Sequence, residues 1–163
     1  MNIVKKEWFE LEENEEAVLM IKKEYPLFDR AGLEEELKRF ILFYVNYLEG
    51  NIKSLRHVDC DKKVEDYIEQ IKLQNKIKCF NNLQFINISI TEFISTSKIS
   101  VITAQIAVIS EDDSMIKSNN IGIPIVQRHV YQVDYTVLKN IYKDKRINDL
   151  NEKIITDFKI LKI

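Results

Sequence analysis

Residues 24–55 read EYPLFDRAGLEEELKRFILFYVNYLEGNIKSL and contain the most apolar helical pattern of the chain. Apolar side chains recur every three or four positions across residues 33–48, which predicts a helix with one buried stripe. Residues 40–45 are apolar on nearly every side of that helix. Asp29 is placed to cap its start and Gly50 to end it. The stretch therefore predicts a buried central helix that lies on a broad apolar surface.

Two further helices are predicted, one before and one after the central helix in the sequence. Asn14 is placed to cap a helix that runs to about Tyr25 and stops at Pro26, because a residue before proline disfavours the helical conformation. After Gly50 a third amphipathic helix begins, with either Asp59 or Asp61 as its cap. Its buried stripe is predicted to contain Val64, Tyr67, Ile68 and Ile71.

From Leu83 onwards the hydrophobic period falls from about 3.6 residues to about 2. Four segments alternate apolar and polar side chains: LQFINISITEFI, SVITAQIAVI, HVYQVDYTVLKNI and ITDFKILKI. Such alternation predicts strands with one covered face, and STSK predicts a tight hairpin between the first two. Long strands twist, so the sheet is expected to curl. The sequence predicts an α+β fold, with N-terminal helices packed on a curled, roughly four-stranded antiparallel sheet.

The length of 163 residues favours a single domain, divided into a helical arm (1–28), helices (29–78) and an antiparallel sheet (83–163). A net charge of −2 argues against nucleic-acid binding, which needs a basic face. The start, MNIVKKEWFELEENEE, lacks the apolar core of a signal peptide, and no segment is long and apolar enough to span a membrane. We therefore expect a cytoplasmic protein with reduced cysteines and no cofactor. Its many Ile, Asn and Lys residues are typical of an AT-rich bacterial genome.

Four stretches resemble the Tim-forty-four-like domain of the mitochondrial import-motor tether and its bacterial relatives. They are IKKEYPLFD, FYVNYLEGNIKSLRHV, DKKVEDYIEQIKLQNK and VYQVDYTVLKNI. Tyr47 stands where the family often has Trp, and Asn51 where it has Asp. The resemblance implies the cone fold of the nuclear-transport-factor-two-like superfamily. It does not extend to the cysteine-rich insert of longer bacterial relatives or to the tether's separate N-terminal region, so neither metal binding nor an import role is implied.

The resemblance also implies a pocket between the sheet and the central helix, because cone-fold enzymes place Asp, His or Tyr there. The residues predicted to line such a pocket are Tyr44, Tyr47, Glu92, His129, Tyr131 and Tyr135. Glu92 has the parity of the isoleucines in the first strand, which predicts that it faces inward or lies at the strand end. Asp134 has the opposite parity from Tyr131 and is predicted to face outward.

Other polar groups have simpler interpretations. His57 and Asp59 lack a third ligand nearby, so a surface histidine and a helix-start aspartate are predicted rather than a zinc site. Residues 111–113 lack the oxygen spacing of a calcium loop and are predicted to form a solvated turn. Residues 121–126 are apolar, and Pro124 prevents a central strand there. They form either a packed edge strand or a rim for a partner. No metal site and no catalytic residue is predicted.

Three functions are compatible with these patterns. The first is a non-catalytic binding or scaffold module for a protein partner, a second copy or a small apolar ligand. Cone folds commonly pair through the open sheet face, so Gln105, Gln132 and Thr136 are predicted to form an interface. The second is an isomerase or dehydratase acting on a small apolar substrate, which requires an inward acid or base. The third is a peripheral membrane binder, against which the lack of a basic amphipathic helix argues.

Overall fold

The computed structural model describes residues 11–55, 58–74, 80–112, 125–139 and 153–162. Within these ranges three helices precede four strands. The helices are α1 (Glu15–Glu24), α2 (Arg30–Leu48) and α3 (Lys62–Gln74). The strands are β1 (Asn81–Ser95), β2 (Ile99–Asp112), β3 (Ile125–Leu138) and β4 (Ile154–Lys162). The predicted α+β fold, with helices packed on a curled antiparallel sheet, is confirmed.

The helix ends follow from local side-chain chemistry. The Asn14 side chain accepts a hydrogen bond from the Ala17 amide at 3.1 Å, and the Asp29 side chain accepts one from the Ala31 amide at 3.1 Å. Gly50 has a φ of 80°, the left-handed conformation that ends α2. Asp61 rather than Asp59 caps α3, because its carbonyl accepts the first bonds from within the helix.

The sheet is an antiparallel meander in the order β1-β2-β3-β4. Residues directly opposite each other on neighbouring strands point to the same face of a sheet. One face, here called the inner face, carries the apolar side chains that contact the helices. Its buried apolar members include Ile88, Ile90, Phe93, Ile102, Ala104, Ile106, Val108, Tyr131, Val133, Tyr135, Val137, Ile155 and Phe158.

Helix α2 lies on the inner face. Leu37, Ile41 and Tyr44 are fully buried along its stripe. The predicted burial on nearly every side is wrong for Leu42, which is 44% exposed, and Phe43 is half-buried. The helix is therefore central without being enclosed on all sides. No helix in the described ranges is long and apolar enough to cross a membrane.

A β-bulge reverses the alternation of β1 near its end. The pairing between β1 and β2 shifts between Ile90 and Glu92, so that Ile90 pairs with Ala104 while Glu92 pairs with Thr103. One extra residue moves every later side chain to the opposite face. Of the two alternatives predicted for Glu92, the inward orientation is therefore wrong, and its side chain is exposed near the end of β1.

Side chains and backbone from outside the sheet cover part of each edge strand. On β1, the Asn14 amide donates to the Ile90 carbonyl at 2.8 Å, and the Glu13 carboxylate accepts from the Ile90 amide at 3.0 Å. On β4, the Ile155 amide donates to the Asp59 carbonyl at 3.0 Å. Covered edges resist pairing with the edges of other chains.

Candidate functional site

The predicted pocket is packed with aromatic rings at its centre. The Tyr44 ring of α2 meets the Tyr131 ring of β3 edge-on, with centroids 5.5 Å apart. Phe158 lies 5.1 Å from Tyr44, and His129 stacks parallel to Tyr131 at 6.2 Å. The sheet and α2 therefore bring three of the predicted pocket residues together, but as mutual core contacts.

Several polar atoms in this core have no partner. The hydroxyls of Tyr44, Tyr131 and Tyr135 and the Nδ1 atom of His129 are buried without a hydrogen bond in the part of the chain that the structure describes. Burial raises the pKa of all three tyrosines well above the ordinary value, with a smaller contribution at Tyr44 from its tyrosine neighbours and at Tyr135 from Glu36. These hydroxyls consequently remain protonated in the folded protein.

Ser110 and His129 form a buried pair on the inner face. The Ser110 Oγ lies 2.8 Å from the His129 Nε2, and each residue is 1% exposed. Burial lowers the pKa of His129 to about 4, so its ring is neutral near pH 7. A serine activated by histidine also needs access to substrate and a group that orients the ring. His129 Nδ1 has no such partner among the described residues, and we interpret the pair as core.

Two predicted pocket residues lie elsewhere. Tyr47 faces α3, where the Lys72 Nζ sits 4.3 Å from the centre of its ring. Glu92 lies on the opposite face of the sheet because of the bulge. Tyr135 does lie on the inner face, but toward the start of β4 and apart from the central rings.

An open space remains near Tyr135, and we call it the cleft. It has a volume of about 200 Å³ between α2, residues 58–59 and the start of β4. Its lining residues are Glu36, Arg39, Phe40, Phe43, Val58, Asp59, Tyr135, Lys153 and Ile155. Lys153 Nζ pairs with the Glu36 carboxylate at 2.6 Å and lies 5.9 Å from the centre of the Tyr135 ring.

The face of the sheet turned away from α2, here called the outer face, is ordered in rows across the four strands. An aliphatic row contains Ile94, Val101, Thr136 and Ile154. The next row, here called the acidic row, contains Glu92, Thr103, Asp134 and Asp157. A third, the amide row, contains Ser89, Gln105, Gln132 and Lys159. The outward orientation predicted for Asp134 is confirmed.

Hydrogen bonds between strands fix the polar side chains of the outer face. Gln105 Nε2 donates to Gln132 Oε1 at 3.1 Å, and the Thr103 hydroxyl donates to the Asp134 carboxylate at 2.7 Å. The hydroxyl of Thr136 lies 2.7 Å from that of Thr156. The three residues predicted to form an interface therefore lie on one face, Gln105 and Gln132 in the amide row and Thr136 in the aliphatic row, with the acidic row between them. Their contact with a partner stays a prediction.

Only some of the remaining candidate residues lie within the described ranges. His57, Asp113 and residues 121–124 lie outside the described residues. Val126 in β3 is half-buried, and Val126 and Leu11 each pack against an apolar cluster on the outer face. Glu111 accepts a hydrogen bond from Asn82 at 2.6 Å. Among the residues that the structure covers, no three His, Cys, Asp or Glu side chains are grouped as a metal site would require.

Sequence reasoning did not select the charged residues of the cleft as a group. Glu36 and Arg39 border the buried stripe of α2, and Phe40 and Phe43 follow them on the same side. The spacing of these four residues along α2 could therefore be recognised in the sequence. Lys153 and Asp59 come from two other segments, which only the folded chain brings to α2.

Similarity to known proteins is limited to solved structures. No protein-family model matches the sequence, and no curated protein matches it. Among solved structures, the chain is similar to the crystal structure of the intermembrane space region of the chloroplast protein ARC6. The two share 10% sequence identity with a TM-score of 0.48, over 83% of this chain and 98% of that one.

Proposed function

We propose that this chain is a non-catalytic binding module of the Tim-forty-four-like type, which binds a polypeptide partner through the outer face of its sheet. The observation that carries the proposal is the exposed aliphatic row beside the acidic row. Ile94 is 49% exposed and Ile154 37%, and Leu138, which follows on the same face of β3, is 71% exposed. Contiguous exposed apolar side chains are typical of interaction sites.

The acidic row defines the chemistry of the partner. The Glu92 side chain is exposed and makes no hydrogen bond or ion pair among the described residues. The Asp134 carboxylate accepts one hydrogen bond, from the Thr103 hydroxyl. Asp157 is engaged by Lys63 and Lys159, so the negative charge is concentrated at the other two carboxylates. A segment with aliphatic side chains flanked by Lys or Arg complements this arrangement.

The inner face supports the same choice. Helix α2 and the aromatic rings occupy the centre of the inner face. The outer face is therefore the surface of the sheet on which a polypeptide could bind. An isomerase or dehydratase would need an inward acid or base. Glu92 faces outward, and His129 is buried against Ser110, so neither side chain supports that alternative. The acidic row would repel anionic lipid, which favours a protein partner over a membrane surface.

Self-association is a specific form of this proposal. A second copy turned so that its amide row meets the acidic row would bring Lys159 toward Glu92 and Asp134. Gln105, Gln132 and Thr136 would then lie within the dimer interface. Sedimentation equilibrium of the purified chain tests this form, because a dimer that Lys159→Glu dissociates is expected if the second copy is the partner.

A peptide panel tests the proposal as a whole. We expect fluorescence anisotropy to detect binding of a labelled helical peptide with Leu on one side and Lys flanking it. A matched peptide with Glu in place of Lys should bind at least about tenfold more weakly, and binding should weaken as salt rises. Equal affinity for the two peptides would contradict the proposal.

Paired variants locate the binding surface. Leu138→Ser should weaken peptide binding by about tenfold, as expected when an apolar anchor is lost from an interface. Leu73→Ser is the control, because Leu73 is 84% exposed on α3 and lies away from the outer face. Equal effects of the two variants would contradict the assigned surface.

A further inference from the structure

The cleft has an apolar floor on α2 and β4. Phe40 and Phe43 line it from the same side of the helix as Glu36 and Arg39, and Ile155 lines it from β4. At about 30 Å³ per molecule, a volume of about 200 Å³ would hold about seven waters. This volume is on the scale of one small molecule.

The Tyr135 hydroxyl is an unpaired polar group at this site. Tyr135 is 3% exposed, and its hydroxyl has no hydrogen-bond partner in the described part of the chain. Burial raises the pKa of Tyr135, and the Glu36 carboxylate raises it further, so the hydroxyl stays protonated. The hydroxyl atom itself is closed to solvent, so the ring of Tyr135 rather than its hydroxyl borders the open space.

The charges at the cleft are balanced but not all paired. Lys153 and Glu36 contact each other and neutralise one another. Arg39 and Asp59 are exposed, and neither side chain makes a hydrogen bond or ion pair among the residues described. One free positive charge and one free negative charge thus border an apolar floor. A ligand with a single charge would leave one of them unmatched.

We propose that the cleft binds a small zwitterion with an apolar body, the chemical class of the hydrophobic α-amino acids. The Arg39 guanidinium binds the ligand carboxylate and the Asp59 carboxylate binds the ammonium group. The apolar side chain of the ligand packs against Phe40, Phe43 and Ile155. The Tyr135 ring, which also lines the cleft, adds to this apolar contact. This site does not depend on polypeptide binding at the outer face.

Three small molecules of similar shape test whether binding at the cleft needs both charges of the ligand. Nuclear magnetic resonance titration of the full chain would use L-leucine, 4-methylpentanoate, which lacks the amine, and 3-methylbutylamine, which lacks the carboxylate. We expect L-leucine to give saturable shifts at the cleft below about 10 mM, and each analogue to bind at least about tenfold more weakly. An analogue that binds as tightly as L-leucine would overturn the proposal. So would the absence of saturable shifts at the cleft.

Variants at exposed positions separate binding from folding. Arg39→Gln and Asp59→Asn should each weaken L-leucine binding by about tenfold or more, because each loses a charge-assisted hydrogen bond. Lys38→Gln on the same helix is the matched control and should leave binding unchanged. If Arg39→Gln has no larger effect than Lys38→Gln, the site is wrong. Peptide binding at the outer face, measured on the same variants, should not change, so the two proposals can fail separately.

Discussion

The Tyr44 ring of α2 packs edge-on against the Tyr131 ring of β3, and the two centroids lie 5.5 Å apart. Both side chains are fully buried, and both hydroxyls lack a hydrogen-bond partner among the described residues. This contact joins the central helix to the middle of the sheet. The centre of the inner face is thus filled, while Ile94, Leu138 and Ile154 on the outer face remain exposed.

The Tyr44 ring is expected to stabilise the fold while its hydroxyl does not. Tyr44→Ala should lower the free energy of unfolding by about 3–5 kcal/mol, as for other large aromatic deletions in cores. Tyr44→Phe should leave it within about 1 kcal/mol or increase it, because a buried unpaired hydroxyl is removed. Urea unfolding measures both. A loss from Tyr44→Phe as large as that from Tyr44→Ala would show that the hydroxyl is bonded.

His129 should make stability depend on pH. Burial lowers its pKa to about 4 in the folded chain, below the ordinary value of 6.5. Between these values the unfolded chain binds a proton that the folded chain does not, so stability falls as pH falls through that window. At about 1.4 kcal/mol per pH unit the full loss amounts to about 3 kcal/mol.

Urea unfolding at several values between about pH 4 and pH 7 isolates this contribution. His129→Gln should flatten the pH dependence relative to the parent chain. His57→Gln, which removes the other histidine of the sequence, is the matched control and should preserve it. A parent-like slope in His129→Gln would mean that another group is responsible.

Lys139 should anchor the end of α1 to the sheet. Burial alone would raise the pKa of Glu24, but bonds from Lys139, Ser95 and Ser100 hold it below its ordinary value. Lys139 Nζ contacts the Glu24 carboxylate and donates to Ser95 Oγ at 2.7 Å. Lys139→Met should cost about 1–3 kcal/mol, with the loss greatest above the carboxyl's unfolded pKa.

The control for Lys139 is a salt bridge on the exposed side of α2. Lys38 lies 3.7 Å from Glu35, one helical turn away, in a solvated setting. Lys38→Met should change the free energy of unfolding by less than about 0.5 kcal/mol. Equal losses from the two substitutions would show that the contacts of Lys139 do not stabilise the fold.

The Glu13–Arg30 pair should protect the β1 edge from other chains. Arg30 contacts Glu13 and donates to the Ile88 carbonyl at 3.0 Å, while Glu13 accepts from the Ile90 amide. Glu13→Ala would free that amide, and exposed edges promote aggregation. Light scattering during slow heating should rise at lower temperature than for Glu12→Ala, the neighbouring control. The same onset in both variants would contradict this role.

The elements could be predicted because their signals are local. Asn14, Asp29 and Gly50 each act within a few residues of the helix end that they set, and the change of period after Leu83 marks the sheet. The orientation of Glu92 could not be predicted. A bulge depends on how two strands pair, so the alternation pattern of one strand does not predict it.

The cleft could not be predicted from the sequence, for a related reason. Arg39, Asp59 and Lys153 lie in three separate segments of the sequence, and each is unremarkable in its own segment. Their proximity follows from the packing of α2 over the start of β4. Tyr135 is predicted to line a pocket between the sheet and the central helix, and it lines the cleft. Aromatic rings fill the middle of that space, so only its end is open.

Site-specific photocrosslinking in the cells that make the protein tests outer-face binding most directly. A photoreactive amino acid would replace Val101 in the aliphatic row or, as the control, Leu73 on α3. Mass spectrometry would then identify the crosslinked peptide. The account predicts that Val101 alone captures one recurrent polypeptide segment, with aliphatic side chains flanked by Lys or Arg. Capture of unrelated segments at both positions, or of an acidic segment at Val101, would contradict it.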